Sequence, residues 1–172
     1  MMAVVLVLSL SVTAFAAEDT GSITITNATK GEEYRLYHIF DATYSVKDGE
    51  AHSVLYTINK NNTFFEYMFG ADGTKPNPYF SYTPKEGSLT LEGVVAKKDE
   101  TVQDEDITKY LTDMVRSETN NFTAERTETA SAGTLVFGDL PYGYYLIDKG
   151  NGAAVTIDSN TPNVQVIDKN QI

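Results

Sequence analysis

Residues 134–168 read TLVFGDLPYGYYLIDKGNGAAVTIDSNTPNVQVID and carry the strongest fold signal in the chain. Within this stretch, short runs rich in β-branched and aromatic residues alternate with turns that contain glycine, asparagine or proline. The runs cover 134–137, 142–148, 153–157 and 163–168. Short strands at regular spacing, bounded by such turns, are typical of a β-sandwich.

The preceding part of the chain continues this pattern and adds two helices. Further strands are predicted over 22–26, 33–44, 53–58, 88–95 and 121–128. A short helix is predicted over 64–69, capped by Asn62 and Thr63. A longer helix is predicted over Glu105–Glu118, where apolar residues recur every three or four positions and Asp104 supplies the N-cap. The predicted fold class is therefore mainly β: an immunoglobulin-like antiparallel β-sandwich with one or two inserted helices.

The composition excludes several kinds of site. The chain of 172 residues has 24 acidic and 13 basic residues, two histidines, no cysteine and no tryptophan, and its formal charge is −11. Without cysteine it forms no disulfide, iron–sulfur cluster or thiol nucleophile, and two histidines cannot build a three-histidine metal site. The negative charge disfavours nucleic acid as a partner. We expect no cofactor and no metal.

The N-terminus predicts secretion. Residues 1–12 are almost entirely apolar, and small residues follow up to an Ala-x-Ala site that ends at Ala16. We predict a signal peptide over 1–16, cleaved after Ala16, and a single mature domain over 17–172. No lysine or arginine precedes the apolar run, which we interpret as an upstream truncation. The alternative is a buried N-terminal strand. No second apolar run is long enough to cross a membrane, so no anchor is predicted.

Catalytic motifs are not found in the sequence. His38 lies near Asp41, but neighbours in a regular strand point to opposite faces, so we predict a surface histidine without a catalytic partner. His52 is interpreted in the same way. Nucleophilic serine motifs and phosphate-binding glycine patterns are missing. The carboxylates at 99–100 and 104–106 fit helix capping better than calcium binding. The chain is therefore predicted not to be an enzyme.

Three stretches taken in order resemble a known family. They are GSITITNA (21–28) with YRLYHIFD (34–41), then GDLPYGYYLID (138–148), then DSNTPNVQVIDKN (158–170). They resemble the N-terminal domain of the backbone pilins of Gram-positive bacteria, the shaft subunits of sortase-assembled pili. The resemblance covers nearly all of the mature chain and implies a pilin-type sandwich at the cell surface or cell wall.

The resemblance also implies a possible cross-link. Such domains often carry an isopeptide bond between a lysine and an asparagine, promoted by a nearby acid in an apolar core. Here Asn27 stands at the position of the family lysine, Asn170 matches the family asparagine and Asp148 matches the acid. Lys30 is the fallback nucleophile. Because the lysine position is occupied by asparagine, we predict that no isopeptide bond forms within this domain.

Three functions follow as hypotheses. The first is a structural module: the N-terminal domain of a pilus shaft subunit or wall-anchored adhesin. Its partners would be neighbouring pilin subunits and sortase, engaged through downstream regions, because the chain has no Tyr-Pro-Lys motif and no Leu-Pro-x-Thr-Gly signal. The second is a domain that binds a host or cell-surface ligand through an exposed aromatic patch formed by Tyr79, Phe80 and Tyr82. The third is a secreted hydrolase, which would need clustered carboxylates in a cleft.

Overall fold

The structure is a computed structural model that describes residues 12–14 and 20–169. The strands of these residues, in chain order, are β1 (Val12–Ala14), β2 (Thr20–Thr26), β3 (Glu33–Lys47), β4 (Glu50–Ile58), β5 (Phe80–Pro84), β6 (Gly93–Lys97), β7 (Arg126–Thr129), β8 (Thr134–Pro141), β9 (Gly143–Asp148), β10 (Ala153–Ile157) and β11 (Asn163–Ile167). The helices are α1 (Phe65–Phe69) and α2 (Asp104–Val115).

The strands form two sheets, and the long strand β3 is central to the larger one. The larger sheet has the order β10-β9-β3-β4-β6-β5, and β1 and β7 also pair with β3. The smaller sheet has the order β11-β2-β8. The predicted mainly β sandwich with two helices is thus confirmed. The pairing of β11 with β2 is parallel, whereas the other pairings in both sheets are antiparallel.

The space between the two sheets is filled by apolar side chains that alternate along the strands. On β2, Ile23 and Ile25 point inward, and Phe137 of β8 packs with them. From the larger sheet, Tyr145 and Ile147 of β9 reach the same cluster. The period of two along each strand separates this cluster from the opposite face of the larger sheet.

The opposite face of the larger sheet is covered by the two helices. Phe65 and Met68 of α1 and Leu111 of α2 are buried against residues of the sheet such as Ile39 and Leu146. The molecule therefore has three layers: the small sheet, the large sheet and a partial helical layer. Each face of β3 and β9 is buried, which explains the aromatic-rich composition of these strands.

The chain crosses between the sheets at the segment that follows β8. β8 ends at Pro141 in the small sheet and β9 begins at Gly143 in the large one. The Tyr145 hydroxyl donates a hydrogen bond of 2.6 Å to the Pro141 carbonyl oxygen, which fixes this corner. A Cβ at Gly143 would lie 2.5 Å from Nε2 of His38, so the glycine is required for close approach. The segment from Pro141 to Gly143 therefore shapes the corner at which the chain passes from one sheet to the other.

Most predicted elements are present, with different ends. The predicted strand over 88–95 is wrong in its first half, because β6 begins at Gly93 and 88–91 form a turn, and β5 was not predicted. Helix α2 starts one residue earlier than predicted and ends at Val115. Its N-cap residue is Gln103, so the prediction of Asp104 as the cap is wrong. Asp104 lies in the first turn and pairs with Lys97 instead.

The predicted signal peptide lies largely outside the described residues. Only Val12–Ala14 of it is described, and it pairs with Thr43–Ser45 of β3. Cleavage after Ala16 stays a prediction. Among the described residues, neither helix has the length and apolar character needed to cross a bilayer.

Candidate functional site at the ends of the first and last sandwich strands

The C-terminal ends of the parallel strands β2 and β11 lie side by side, close to the start of β3. Thr26 and Ile167 are register partners, and the Asp168 backbone N–H donates a bond of 2.9 Å to the Thr26 carbonyl oxygen. The chain then turns sharply at Asn27, which adopts a φ of 56°. This is the position where the family resemblance implies a cross-link between the first and last strands.

A buried hydrogen bond occupies this position. The hydroxyl of Tyr34 donates to Oδ2 of Asp168 at 2.5 Å and accepts from the backbone N–H of Thr29 at 2.9 Å. Tyr34 is 1% exposed and Asp168 is 8% exposed. Burial, and next the hydrogen bond to Asp168, raise the pKa of the Tyr34 phenol above its ordinary value. The phenol therefore stays protonated and able to donate at neutral pH.

The amine of Lys149 lies close to this pair. Its Nζ lies 5.8 Å from the centre of the Tyr34 ring and forms an ion pair of 2.7 Å with Glu32. The hydrogen bond that the Lys149 ammonium donates to Glu32 raises the pKa of that ammonium. An amine must be neutral to attack an amide, so this lysine is held in the unreactive form.

The predicted site residues are not assembled into one centre. Asp148 is on β9 with the side chain on the face of α2, where it accepts bonds of 2.7 and 2.6 Å from Arg116. Its alternating neighbours Tyr145 and Ile147 face β2 instead. The large sheet therefore separates Asp148 from the first and last strands. Asn27 and Lys30 are both exposed. Asn170 lies outside the described residues.

The acid that does lie with the first and last strands is Asp168, which the sequence interpretation did not single out. Two features of the sequence point to this pair. Asp168 directly follows the last apolar strand, and Tyr34 lies two residues before the core residue Leu36, so both face the same side of their strand. What could not be read from the sequence is the parallel register that brings these two side chains together.

The histidine prediction needs correction. His38 is largely buried, its ring stacks on Tyr145 at 4.5 Å, and its Nε2 lies 3.3 Å from Oδ1 of Asp41. A bulge between His38 and Phe40 changes the alternation, so that positions 38 and 41 fall on one face. In the part of the chain that the structure describes, no group of three or more acidic or histidine side chains is placed to hold a metal ion.

The predicted aromatic patch beside the 70–78 loop belongs to the core. Phe80 is 5% exposed, and Tyr79 and Tyr82 are half-buried. The Tyr82 ring packs against Phe65 and Phe69 of α1. These rings fasten α1 to the large sheet rather than forming a flat exposed platform.

No protein-family model and no curated protein matches the chain.

The Tyr34 hydroxyl makes a testable contribution to stability. Replacing Tyr34→Phe leaves the buried Asp168 carboxylate and the Thr29 N–H without this partner, and we expect a loss of about 1–3 kcal/mol in the free energy of unfolding. Since folding raises the pKa of Tyr34, its favourable contribution is complete below pH 10.0 and is lost at higher pH. The difference between wild type and variant should thus shrink above that pH in urea titrations.

Tyr67→Phe is the matched control. Tyr67 is half-buried among aromatic rings, and its hydroxyl makes no hydrogen bond to the described residues. We expect its free energy of unfolding to stay within about 0.5 kcal/mol of wild type. Equal losses in the two variants would mean that the Tyr34–Asp168 bond contributes nothing specific.

The second prediction concerns the covalent state of the mature chain. An isopeptide bond from lysine and asparagine releases ammonia, a loss of about 17 Da by this amine-on-amide chemistry. With Asn27 at the lysine position and Lys149 protonated, we expect the intact mass to equal the sequence mass. A loss of one ammonia, located by peptide mapping to Lys30 or Lys149, would refute this prediction.

Proposed function

We propose that the chain is a structural module of the cell surface, the N-terminal domain of a pilus shaft subunit or wall-anchored adhesin. In this proposal it is secreted, has no enzymatic activity, and transmits tension between neighbouring subunits in a head-to-tail chain. Sortase and the neighbouring subunits act through regions that follow this domain. The observation that carries the proposal is the parallel pairing of β2 with β11.

Parallel pairing places the two ends of the domain at opposite ends of one strand pair. The chain enters β2 at Thr20 and leaves β11 at Ile167, which is the partner of Thr26 at the far end of β2. Tension between the termini therefore runs along both strands in opposite directions. All the hydrogen bonds between β2 and β11 carry this load together, instead of opening one at a time.

One side-chain contact joins the loaded strands, and another ties the end of β11 to the large sheet. The Ser22 hydroxyl on β2 donates to Oδ1 of Asn163 on β11 at 2.8 Å, and Asp168, directly after β11, accepts from the Tyr34 hydroxyl on β3. Between them Ile23 and Ile25 are fully buried against the large sheet. Pulling β11 out past β2 and β3 would break both polar contacts and expose apolar surface at the same time.

The alternative is a ligand-binding adhesin domain. An exposed aromatic platform at Tyr79, Phe80 and Tyr82 would have favoured it, and these side chains are instead packed into the core. A secreted hydrolase has the least support, because the carboxylates around α2 are engaged in surface contacts: Asp104 with Lys97, and Asp99 with Thr101. The structural role agrees best with these contacts.

Single-molecule force spectroscopy tests the mechanical role. A tether attached before Ala17 and after Ile172 loads β2 and β11 in shear. Because the chain has no cysteine, an Asn160→Cys variant offers a unique second attachment point near the start of β11. Tension between the N-terminus and residue 160 pulls both strands from the same end and opens their bonds in sequence. We expect a clearly higher unfolding force in the first geometry. Equal forces in the two geometries would contradict the proposal.

A further inference from the structure

A cavity lies between the large sheet and the first turns of α2. Its volume is about 240 Å³, and its aromatic wall is formed by Phe40, Tyr56, Phe80 and Tyr144. Val95 and Ala96 of β6 and Ile107 of α2 complete the apolar lining. Neither the proposed mechanical role nor the Tyr34–Asp168 bond uses this space.

The aromatic wall is ordered by edge-to-face contacts. The Phe40 ring meets Phe80 at 5.2 Å with an interplanar angle of 80°, and it meets Tyr144 at 5.6 Å and 63°. Tyr56 meets Tyr144 at 5.7 Å and 89°. The cavity wall therefore contains both faces and edges of aromatic rings. A further aromatic ring can pack against either in an offset-stacked or edge-to-face arrangement.

One polar group in this wall has no protein partner. The Tyr144 hydroxyl makes no hydrogen bond to the described residues, yet it is not among the buried unpartnered atoms. It therefore reaches open space, and the cavity is a space that Tyr144 lines. Burial of the ring raises the pKa of Tyr144 to about 12. The hydroxyl is protonated at neutral pH and can either donate or accept a hydrogen bond.

The two charged residues of the lining neutralise one another. Nζ of Lys97 on β6 lies 2.7 Å from Oδ1 of Asp104 in the first turn of α2. This ion pair connects two walls of the cavity. A ligand with a net charge would have to compete with it, whereas a neutral ligand would not.

We propose that this cavity binds a small neutral aromatic molecule with one hydrogen-bonding group, such as an indole or a phenol. The ring packs in the edge-to-face wall, and its N–H or O–H meets the Tyr144 hydroxyl. The size agrees, since an apolar cavity of about 150 Å³ is enough to bind benzene. The ion pair across the walls favours a free small molecule over the side chain of a peptide, whose backbone would have to pass Lys97 and Asp104.

The missing tryptophan allows a direct binding assay. The chain has no tryptophan, so the fluorescence of added indole can be excited selectively and followed on titration with the full chain. We expect saturable binding of one indole per chain. Tyr144→Phe removes only the hydroxyl and should weaken indole binding by about three- to tenfold, as expected for one lost hydrogen bond. Toluene, which cannot form that bond, should displace indole from wild type and variant with the same inhibition constant.

A second pair of variants separates binding from folding. Val95 lines the cavity, so Val95→Phe should occupy the space and abolish indole binding. Val94 is its neighbour on β6 and its side chain points to the opposite face of the sheet, so Val94→Phe should bind indole as wild type does. Urea unfolding of both variants checks that the fold is intact. No saturable binding to the wild type, or equal binding to a folded Val95→Phe variant, overturns the proposal. Tighter binding of a tyrosine-containing peptide at this site would overturn its small-molecule form.

Discussion

The parallel contact between β2 and β11 determines how the rest of the molecule is arranged. It places the first and last sandwich strands side by side in a small sheet, and that sheet needs only β8 to be complete. The isoleucines of β2 can then pack against β3 and β9, so these two strands contribute buried side chains on both faces of the large sheet. The same contact brings Asp168 to Tyr34, and this buried bond links the end of the chain to the strand at its centre.

The chain has no cysteine, so no disulfide links its first and last sandwich strands. Where the first and last sandwich strands end, the structure contains a hydrogen bond from Tyr34 to Asp168, with the Lys149–Glu32 ion pair beside it. A buried hydrogen bond to a charged group is worth about 1–3 kcal/mol, and a partly exposed ion pair about 0–1 kcal/mol. The mechanical strength that we propose therefore rests on their being loaded together in shear.

The local elements could be predicted because each has its own periodic signal. Alternation along β2 and β11 and the helical spacing in α2 depend only on neighbouring residues. The Asp48–Gly49 turn between β3 and β4 was also predictable, and both residues adopt positive φ as a tight hairpin requires. β5 was not found, because its aromatic residues and terminal proline follow directly on a loop that contains proline and glycine.

The site was less predictable than the elements, since it depends on which strands pair. Asp148 and Asp168 both follow apolar strands, and their sequence contexts do not reveal the layer that each one faces. The crossing of the chain between sheets at Pro141–Gly143 turns Asp148 toward α2 and leaves Asp168 beside β2. The bulge between His38 and Phe40 could not be predicted from the sequence either. Its one extra residue reverses the faces expected from simple alternation and so places His38 and Asp41 on the same face.

Native-state hydrogen exchange of the amides that donate hydrogen bonds between β2 and β11 tests the central claim most directly. If the parallel pair holds the domain together, these amides exchange only by global unfolding, with the same opening free energy as amides of β3. Such a result would show that the last strand is part of the cooperative core. Exchange of the β11 amides that donate to β2 through a local opening of much lower free energy, while β3 stays protected, would contradict the account.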